Sequence, residues 1–201
     1  MMISSLIRAG VLAIAGLLAL TGCSEKPAAA AFHSIDITGA DYADGFSLTD
    51  HNGQLRTLAD FKGKAVVVFF GFTQCPDVCP TSMSELAQAR KLLGADGDRL
   101  QGLFVSIDPE RDTPEVMKEY IGSFDPTFLA LYAKPGDLPD LAKRFKIYYK
   151  KVPGSTPDTY TMDHSAGSYI FDPQGKVRLY FRYGSGAQAM ADDVKLLLTG
   201  N

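Results

Sequence analysis

Apolar residues along the chain fall into continuous runs that alternate with segments of helical periodicity. Residues 64–72 and 100–107 are rich in β-branched and aromatic residues, which is typical of parallel strands covered by helices on both faces. Each run is followed by apolar residues at helical spacing, over residues 80–93 and from residue 113 to about residue 124. The pattern therefore predicts a β-α-β-α unit with a parallel sheet.

Local signals predict where these two helices begin. Pro80 in the first turn, followed by Ser82-x-x-Glu85 in the form of a capping box, predicts the start of the first helix. Thr113 and Pro114 predict the N-cap and the first residue of the second helix. The loops before these helices follow the carboxyl ends of strands, where α/β sheets place their ligand sites.

The remaining pattern predicts two hairpins and a closing helix. Asn52-Gly53 lies between short strand patterns at residues 45–49 and 54–58, and Asn-Gly is the strongest local hairpin signal. The other predicted elements are a strand over residues 128–132, a helix over 138–145, a hairpin of residues 168–171 and 177–182, and a helix over 187–198. This order predicts an α/β protein with a thioredoxin-like fold, an N-terminal β-hairpin and additional insertions.

The N-terminal residues predict export and a lipid anchor. Arg8 precedes an apolar run over residues 9–20, which spans only about 18 Å as a helix against roughly 30 Å of bilayer hydrocarbon, so a signal peptide is favoured over a membrane span. Leu20-Thr21-Gly22-Cys23 resembles the lipobox of bacterial lipoproteins, whose cysteine carries the lipid. Cleavage near residues 28–31, which would discard Cys23, is the alternative.

These features predict the domain organisation and the location of the protein. We predict a lipoprotein signal peptide over residues 1–22, a flexible Ala-rich tether over 23–40 and a thioredoxin-like domain over 41–201. The domain is expected to face the periplasm from a membrane of the cell envelope, to which lipid on Cys23 anchors it.

The overall charge argues against a nucleic-acid partner. The chain of 201 residues has a formal net charge of -3, and its removable N-terminal segment contains a single basic residue, Arg8. The sequence has no basic stretch that could neutralise a phosphate backbone.

Assigning Cys23 to lipid leaves two thiols, Cys75 and Cys79, in a loop that leads into a helix. A helix N-terminus favours negative charge, so we expect thiolate character at both sulfurs. The loop containing His164 precedes a strand predicted to run antiparallel, so it starts at the same edge of the sheet and can face the cysteines. A structural disulfide is the alternative for the pair, although a bridge closing so short a loop stabilises little.

This set of residues is suited to copper. Thiolate sulfur is the ligand that Cu(I) prefers, and imidazole also accommodates Cu(II), so two cysteines and one histidine could hold either oxidation state. Asp163 and Asp77 are candidates to orient the histidine and to tune the thiols. His33, in the tether, and His51, beside a turn, are left out of the predicted site.

Three ordered motifs resemble the Sco/SenC family. They are Phe70-Gly71-Phe72-Thr73-Gln74-Cys75-Pro76-Asp77-Val78-Cys79-Pro80-Thr81, Ser106-Ile107-Asp108-Pro109-Glu110-Arg111-Asp112-Thr113-Pro114, and Asp163-His164-Ser165 with Tyr169 and Asp172-Pro173-Gln174-Gly175. The resemblance implies a mononuclear copper site at Cys75, Cys79 and His164. It also implies a metallochaperone that helps to build the binuclear copper site of cytochrome c oxidase, with the copper-site subunit and other copper carriers as partners.

Two other functions and a second metal remain open from the sequence. A thiol-disulfide oxidoreductase would use Cys75 and Cys79 to reduce the cysteines of that copper site or to sense redox state. Thioredoxins, however, have a proline in the turn that faces their cysteines, and residues 163–167 contain none. A peroxiredoxin-like peroxidase is disfavoured, because this chain has Pro76 at the position where that family has a threonine that binds the peroxide. Zinc is a less favoured metal, because two cysteines, one histidine and water can also bind it tetrahedrally.

Overall fold

The computed structural model describes residues 31–134, 136–156 and 159–200. The elements within these ranges are strands β1 (Ile35–Asp36), β2 (Ser47–Asp50), β3 (Leu55–Thr57), β4 (Ala65–Gly71), β5 (Leu100–Ser106), β6 (Leu129–Tyr132), β7 (Tyr149–Pro153), β8 (Tyr160–His164), β9 (Ser168–Phe171) and β10 (Val177–Phe181), and helices α1 (Val78–Leu92), α2 (Pro114–Gly122), α3 (Leu138–Arg144) and α4 (Ala187–Leu198). No helix among these residues has the length and apolarity needed to cross a bilayer.

The strands form one large mixed sheet and one separate hairpin. The large sheet has the order β1-β10-β9-β4-β5-β6-β2-β3, with β4, β5 and β6 parallel and β9 antiparallel to β4. Strands β7 and β8 pair antiparallel with each other as a second, two-stranded sheet. The fold is therefore a thioredoxin-like α/β sheet with an extra hairpin inserted before β9.

The centre of the protein is formed by the two strands that the longest apolar runs predict. Every residue of β4 and of β5 is buried, because neighbouring strands and helices cover both. Helices α1 and α4 pack against each other and both contact β4. The predicted N-terminal hairpin is confirmed by the antiparallel pairing of β2 with β3, and the predicted C-terminal hairpin by that of β9 with β10.

The folded domain begins earlier than residue 41. Part of the segment predicted as tether forms β1, which pairs with β10. The buried carboxylate of Asp193, on α4, accepts hydrogen bonds from the backbone N–H groups of His33 and Ser34 at 2.7 and 2.9 Å. These bonds compensate for burying the charge and fix residues 33–36 to the domain.

The capping box predicted at Ser82 and Glu85 is wrong. Helix α1 begins two residues before Pro80, at Val78, so Ser82 lies inside the helix. Its hydroxyl donates a hydrogen bond to the Val78 carbonyl at 2.8 Å. A serine within a helix commonly bonds back to the carbonyl four residues earlier. In contrast, Thr113 caps α2 as predicted, accepting from the Val116 N–H, with Pro114 as the first helical residue.

Candidate metal centre

The two cysteines lie where β4 ends and α1 begins. A turn closed by the Cys75 N–H and the Phe72 carbonyl, at 3.2 Å, carries the chain from the strand into the helix. Cys75 is half-buried just before the helix, and Cys79, in its first turn, is fully buried. The Cys79 N–H points to Cys75 Sγ at 3.4 Å, and both cysteines are free thiols.

His164 reaches the same place from the end of β8. Its Nε2 lies 3.4 Å from Cys79 Sγ, and its Nδ1 lies 2.8 Å from the Ser165 carbonyl oxygen. A carbonyl can only accept, so Nδ1 carries the proton and Nε2 presents its lone pair to the sulfur. Phe69 and Phe72 meet the imidazole edge-on, with ring centroids 6.0 and 5.9 Å away, and orient it.

The three side chains form a cluster whose chemistry fits a soft metal ion. One ligand atom from each of Cys75, Cys79 and His164 lies within 4.8 Å of the other two. Metal–ligand bonds of about 2.0–2.3 Å separate the ligand atoms around one ion by about 4 Å, so a movement of less than about 1 Å would bring these atoms into range. Cys75, Cys79 and His164, predicted from distant motifs, are therefore brought together.

Burial controls the protonation of two of the three groups. It raises the pKa of the Cys79 thiol far above its usual value, and the hydrogen bond with Cys75 raises it further. The expectation of thiolate character at Cys79 is therefore wrong for the metal-free protein, because desolvation outweighs the helix N-terminus. Burial also lowers the pKa of His164, which keeps the imidazole neutral near pH 7. A metal ion must consequently displace a proton from Cys79.

The predicted auxiliary carboxylates are both exposed. Asp77 is the N-cap residue of α1, but its side chain makes no capping hydrogen bond. Asp163 precedes His164 and raises its pKa through its charge, while the Nδ1 hydrogen bond that was expected for Asp163 goes to the Ser165 carbonyl. Orientation of the imidazole is thus provided by the Ser165 carbonyl together with the rings of Phe69 and Phe72.

A buried carboxylate that sequence reasoning did not place holds the cysteine loop. Asp112 accepts hydrogen bonds from the Thr73 N–H and hydroxyl, the latter at 2.6 Å, and from the Ser106 hydroxyl at 2.6 Å. Its neighbour Arg111 points in a different direction and pairs with Asp108, at 2.5 Å.

Other candidate residues lie apart from the cluster or outside the described residues. His51 Nδ1 accepts a hydrogen bond from the Ala130 N–H at 3.1 Å. His33 forms an exposed pair with Asp192. Cys23 and the predicted signal peptide lie outside the described residues, so the lipid anchor stays a prediction.

One residue near the thiols that the sequence did not indicate is Tyr120. Its buried hydroxyl has no hydrogen-bond partner. Burial raises the pKa of this hydroxyl, and the charges of Cys79 and Cys75 raise it further.

Close packing around Cys79 predicts that Gly71→Ala will destabilise the protein. A Cβ at Gly71 would lie 2.8 Å from Cys79 Sγ and 2.7 Å from a ring carbon of Phe69. Neither neighbour can move freely inside the core, so we expect a loss of about 1–3 kcal/mol in the free energy of unfolding of the metal-free protein, measured by urea denaturation.

Gly122→Ala is the matched control for this substitution. A Cβ at Gly122, the last residue of α2, meets nothing within 4 Å. We expect this change to leave the urea midpoint within experimental error or to raise it slightly. Equal stability of the two variants would show that the packing around Cys79 is looser than these distances imply.

Comparison with known proteins identifies one consistent group of relatives. The family model described as SCO1/SenC matches residues 35–199. The mitochondrial SCO2 homolog of Bos taurus is 36% identical over 152 residues, which are 75% of this chain and 57% of that protein. The chain thus spans little more than half the length of this relative.

Two solved structures share the fold. ScoI of Bradyrhizobium japonicum, solved with copper bound, aligns with a TM-score of 0.68 at 42% identity and covers 75% of this chain and 96% of that chain. Yeast Sco1, also with copper bound, aligns with a TM-score of 0.70 at 30% identity and covers 78% of this chain and 88% of that chain. The thioredoxin-like fold predicted from the order of elements is confirmed.

Proposed function

The chain belongs to the SCO1/SenC family, and on that premise we propose that it is a copper metallochaperone that holds one Cu(I) or Cu(II) with Cys75, Cys79 and His164. The observation that carries the proposal is the approach of two sulfurs and one unprotonated imidazole nitrogen to within 4.8 Å of one another. Copper-bound relatives of 42% and 30% identity support the choice of metal.

The ligand set favours copper over zinc. Two thiolates match the preference of Cu(I) for soft ligands, and His164 adds the nitrogen that stabilises Cu(II). A structural zinc site takes four protein ligands, whereas three side chains converge here among the described residues, so zinc would need water as its fourth ligand. The open position suits an ion that is cargo and has to be passed on.

Copper transfer would begin at the more accessible sulfur. Cys75 is half-buried, whereas Cys79 lies beneath it with no exposed surface. A thiolate of an acceptor protein can therefore reach the copper first on the Cys75 side, while Cys79 and His164 still hold the ion. We propose the copper-site subunit of cytochrome c oxidase as the acceptor and other copper carriers as further partners, following the family resemblance.

The proposed location follows from the N-terminal sequence. Export by a signal peptide over residues 1–22 and lipid on Cys23 would hold residues 41–201 on the periplasm-facing side of a membrane. The position of β1 shortens the proposed tether, because residues 33–36 already belong to the domain. About ten residues then remain to span from the lipid to the fold.

A thiol-disulfide reductase is the second candidate function. It is favoured by the arrangement of the two cysteines, with the Cys79 N–H 3.4 Å from Cys75 Sγ, since a half-buried sulfur that can attack a disulfide lies beside a buried one that can resolve it. In that reaction the Cys75 thiolate would attack a disulfide of the copper-site subunit, and Cys79 would then release the second thiol as the Cys75–Cys79 disulfide formed. His164 forms no covalent bond in these steps, and its Nε2, 3.4 Å from Cys79 Sγ, is placed to accept the proton that Cys79 loses.

Anaerobic titration of the reduced protein with Cu(I) tests the metallochaperone. We expect uptake of one equivalent, release of protons on binding, and a sulfur-to-Cu(II) charge-transfer band when Cu(II) is used instead. Zinc gives no such band. Failure to retain one equivalent would reject the proposal. Normal reduction of the copper-site subunit by His164→Ala protein, together with no copper retention by wild type, would favour the reductase.

A further inference from the structure

One arginine in the loop between β5 and α2 contacts both segments that supply the candidate metal centre, the cysteine loop and strand β8. Arg111 Nε donates to Asp108 Oδ2 at 2.5 Å. Its Nη1 lies 2.9 Å from Gln74 Oε1, next to Cys75 in the chain, and 2.9 Å from the carbonyl oxygen of Tyr160, the first residue of β8. The guanidinium therefore links the cysteine loop to the strand that ends in His164.

Tyr160 is held from two sides by the same loop. The Arg111 Cζ lies 3.5 Å from the centroid of the Tyr160 ring, and the Tyr160 hydroxyl donates to Asp108 Oδ1 at 2.7 Å. A further tie joins Lys151 on β7 to Glu110, at 2.7 Å. Asp108 is only 3% exposed, and its contacts with Arg111 and the Tyr160 hydroxyl compensate for the burial of its charge.

The β7–β8 hairpin depends on side-chain contacts for its position. Within the described residues, its two strands pair with each other and not with the large sheet. Tyr160, Met162 and His164 are alternate residues of β8, so their side chains lie on the same face of the strand. A contact that fixes Tyr160 therefore also fixes the face from which His164 reaches Cys79.

We propose that Arg111, braced by Asp108, is a positioning residue that docks the β7–β8 hairpin and so keeps His164 Nε2 against Cys79 Sγ. Its importance for metal binding rests on the proposed function, whereas the docking itself is a property of the metal-free protein. The planar guanidinium donates in two directions while it stacks on a ring, and lysine cannot reproduce this arrangement.

The first test measures how well Cys79 is covered in metal-free protein. Cys79 is fully buried, so its rate of alkylation by iodoacetamide reports opening of the hairpin, with half-buried Cys75 as the internal reference. Loss of hydrogen bonds to a charged group predicts alkylation at least about tenfold faster in Arg111→Ala. Arg56→Ala is the matched control, because Arg56 Nε also donates to a buried aspartate, Asp50, on β2. Its rate should equal that of wild type.

The second test measures whether His164 still binds the metal. With one equivalent of Cu(II), electron paramagnetic resonance of wild type should show nitrogen hyperfine coupling, which Arg111→Ala should lose as His164→Ala does. Arg111→Lys should restore it only in part, and Arg56→Ala should retain it fully. Wild-type coupling and wild-type alkylation in Arg111→Ala would overturn the proposal.

Tyr160→Ala gives an independent decision if Arg111→Ala does not fold. This variant removes the stacked ring and the hydroxyl on the hairpin side but keeps the pair of Arg111 with Asp108. We expect the same faster alkylation and the same loss of nitrogen coupling, and wild-type values for both would overturn the docking role. If wild type bound no Cu(II) at all, the proposed function would fail, while the alkylation rates would still decide whether Arg111 docks the hairpin.

Discussion

Replacing Cys79 with alanine is expected to lower the affinity of the protein for Cu(I) by at least about a hundredfold. The Cys79 sulfur lies 3.4 Å from His164 Nε2 and within 4.8 Å of Cys75 Sγ. Without it, Cys75 and His164 would have to bind the ion without a second thiolate. Competition of the reduced protein with a chromophoric Cu(I) chelator measures the change.

The same substitution should leave the metal-free fold in place. Alanine at position 79 removes one buried atom and introduces no polar group, so any loss of copper is not caused by unfolding. Copper should raise the melting temperature of wild type and of the control variant Ser82→Ala, but not that of Cys79→Ala. Retention of one tightly held Cu(I) by Cys79→Ala would exclude this cysteine as a ligand.

The elements that periodicity predicts well are those stabilised by their own buried residues. Strands β4 and β5 and helix α4 were predicted to within one or two residues, because each buries a continuous run or a helical stripe of apolar residues. The β7–β8 hairpin was not predicted. Its strand β7 is the sequence Tyr-Lys-Lys-Val-Pro, which is partly exposed and lacks apolar alternation. Contacts of Tyr160 with Asp108 and of Lys151 with Glu110, which lie far away in sequence, stabilise it.

The candidate site likewise has one feature that the sequence predicts and others that depend on residues remote in sequence. The convergence of Cys75, Cys79 and His164 follows from strand order, because the cysteines follow β4 and His164 shortly precedes β9, which runs antiparallel to β4 and starts at the same edge of the sheet. The raised pKa of Cys79 could not be predicted, since it results from burial by groups remote in sequence. The separate partners of Arg111 and Asp112 were missed for the same reason.

Replacing His164 with alanine is expected to weaken Cu(II) binding by about a hundredfold and Cu(I) binding by only about tenfold. Two thiolates satisfy most of the preference of Cu(I), whereas Cu(II) depends more strongly on the imidazole nitrogen. The ratio of the Cu(I) affinity to the Cu(II) affinity would therefore rise about tenfold. This change would raise the Cu(II)/Cu(I) potential of the bound ion by about 59 mV. Chelator competition for each oxidation state and a redox titration of the copper-loaded protein measure the two effects.

His51→Ala is the matched control, because His51 is a partly buried histidine whose Nδ1 bonds the Ala130 N–H away from the cysteines. It should keep wild-type copper affinities and potential even if its stability falls. An unchanged Cu(II) affinity in His164→Ala would exclude His164 as a ligand and leave the two cysteines as the entire ligand set. Loss of Cu(II) with Cu(I) largely retained would instead mean that the hairpin controls which oxidation state the protein can hold, because the imidazole is the ligand that the hairpin supplies.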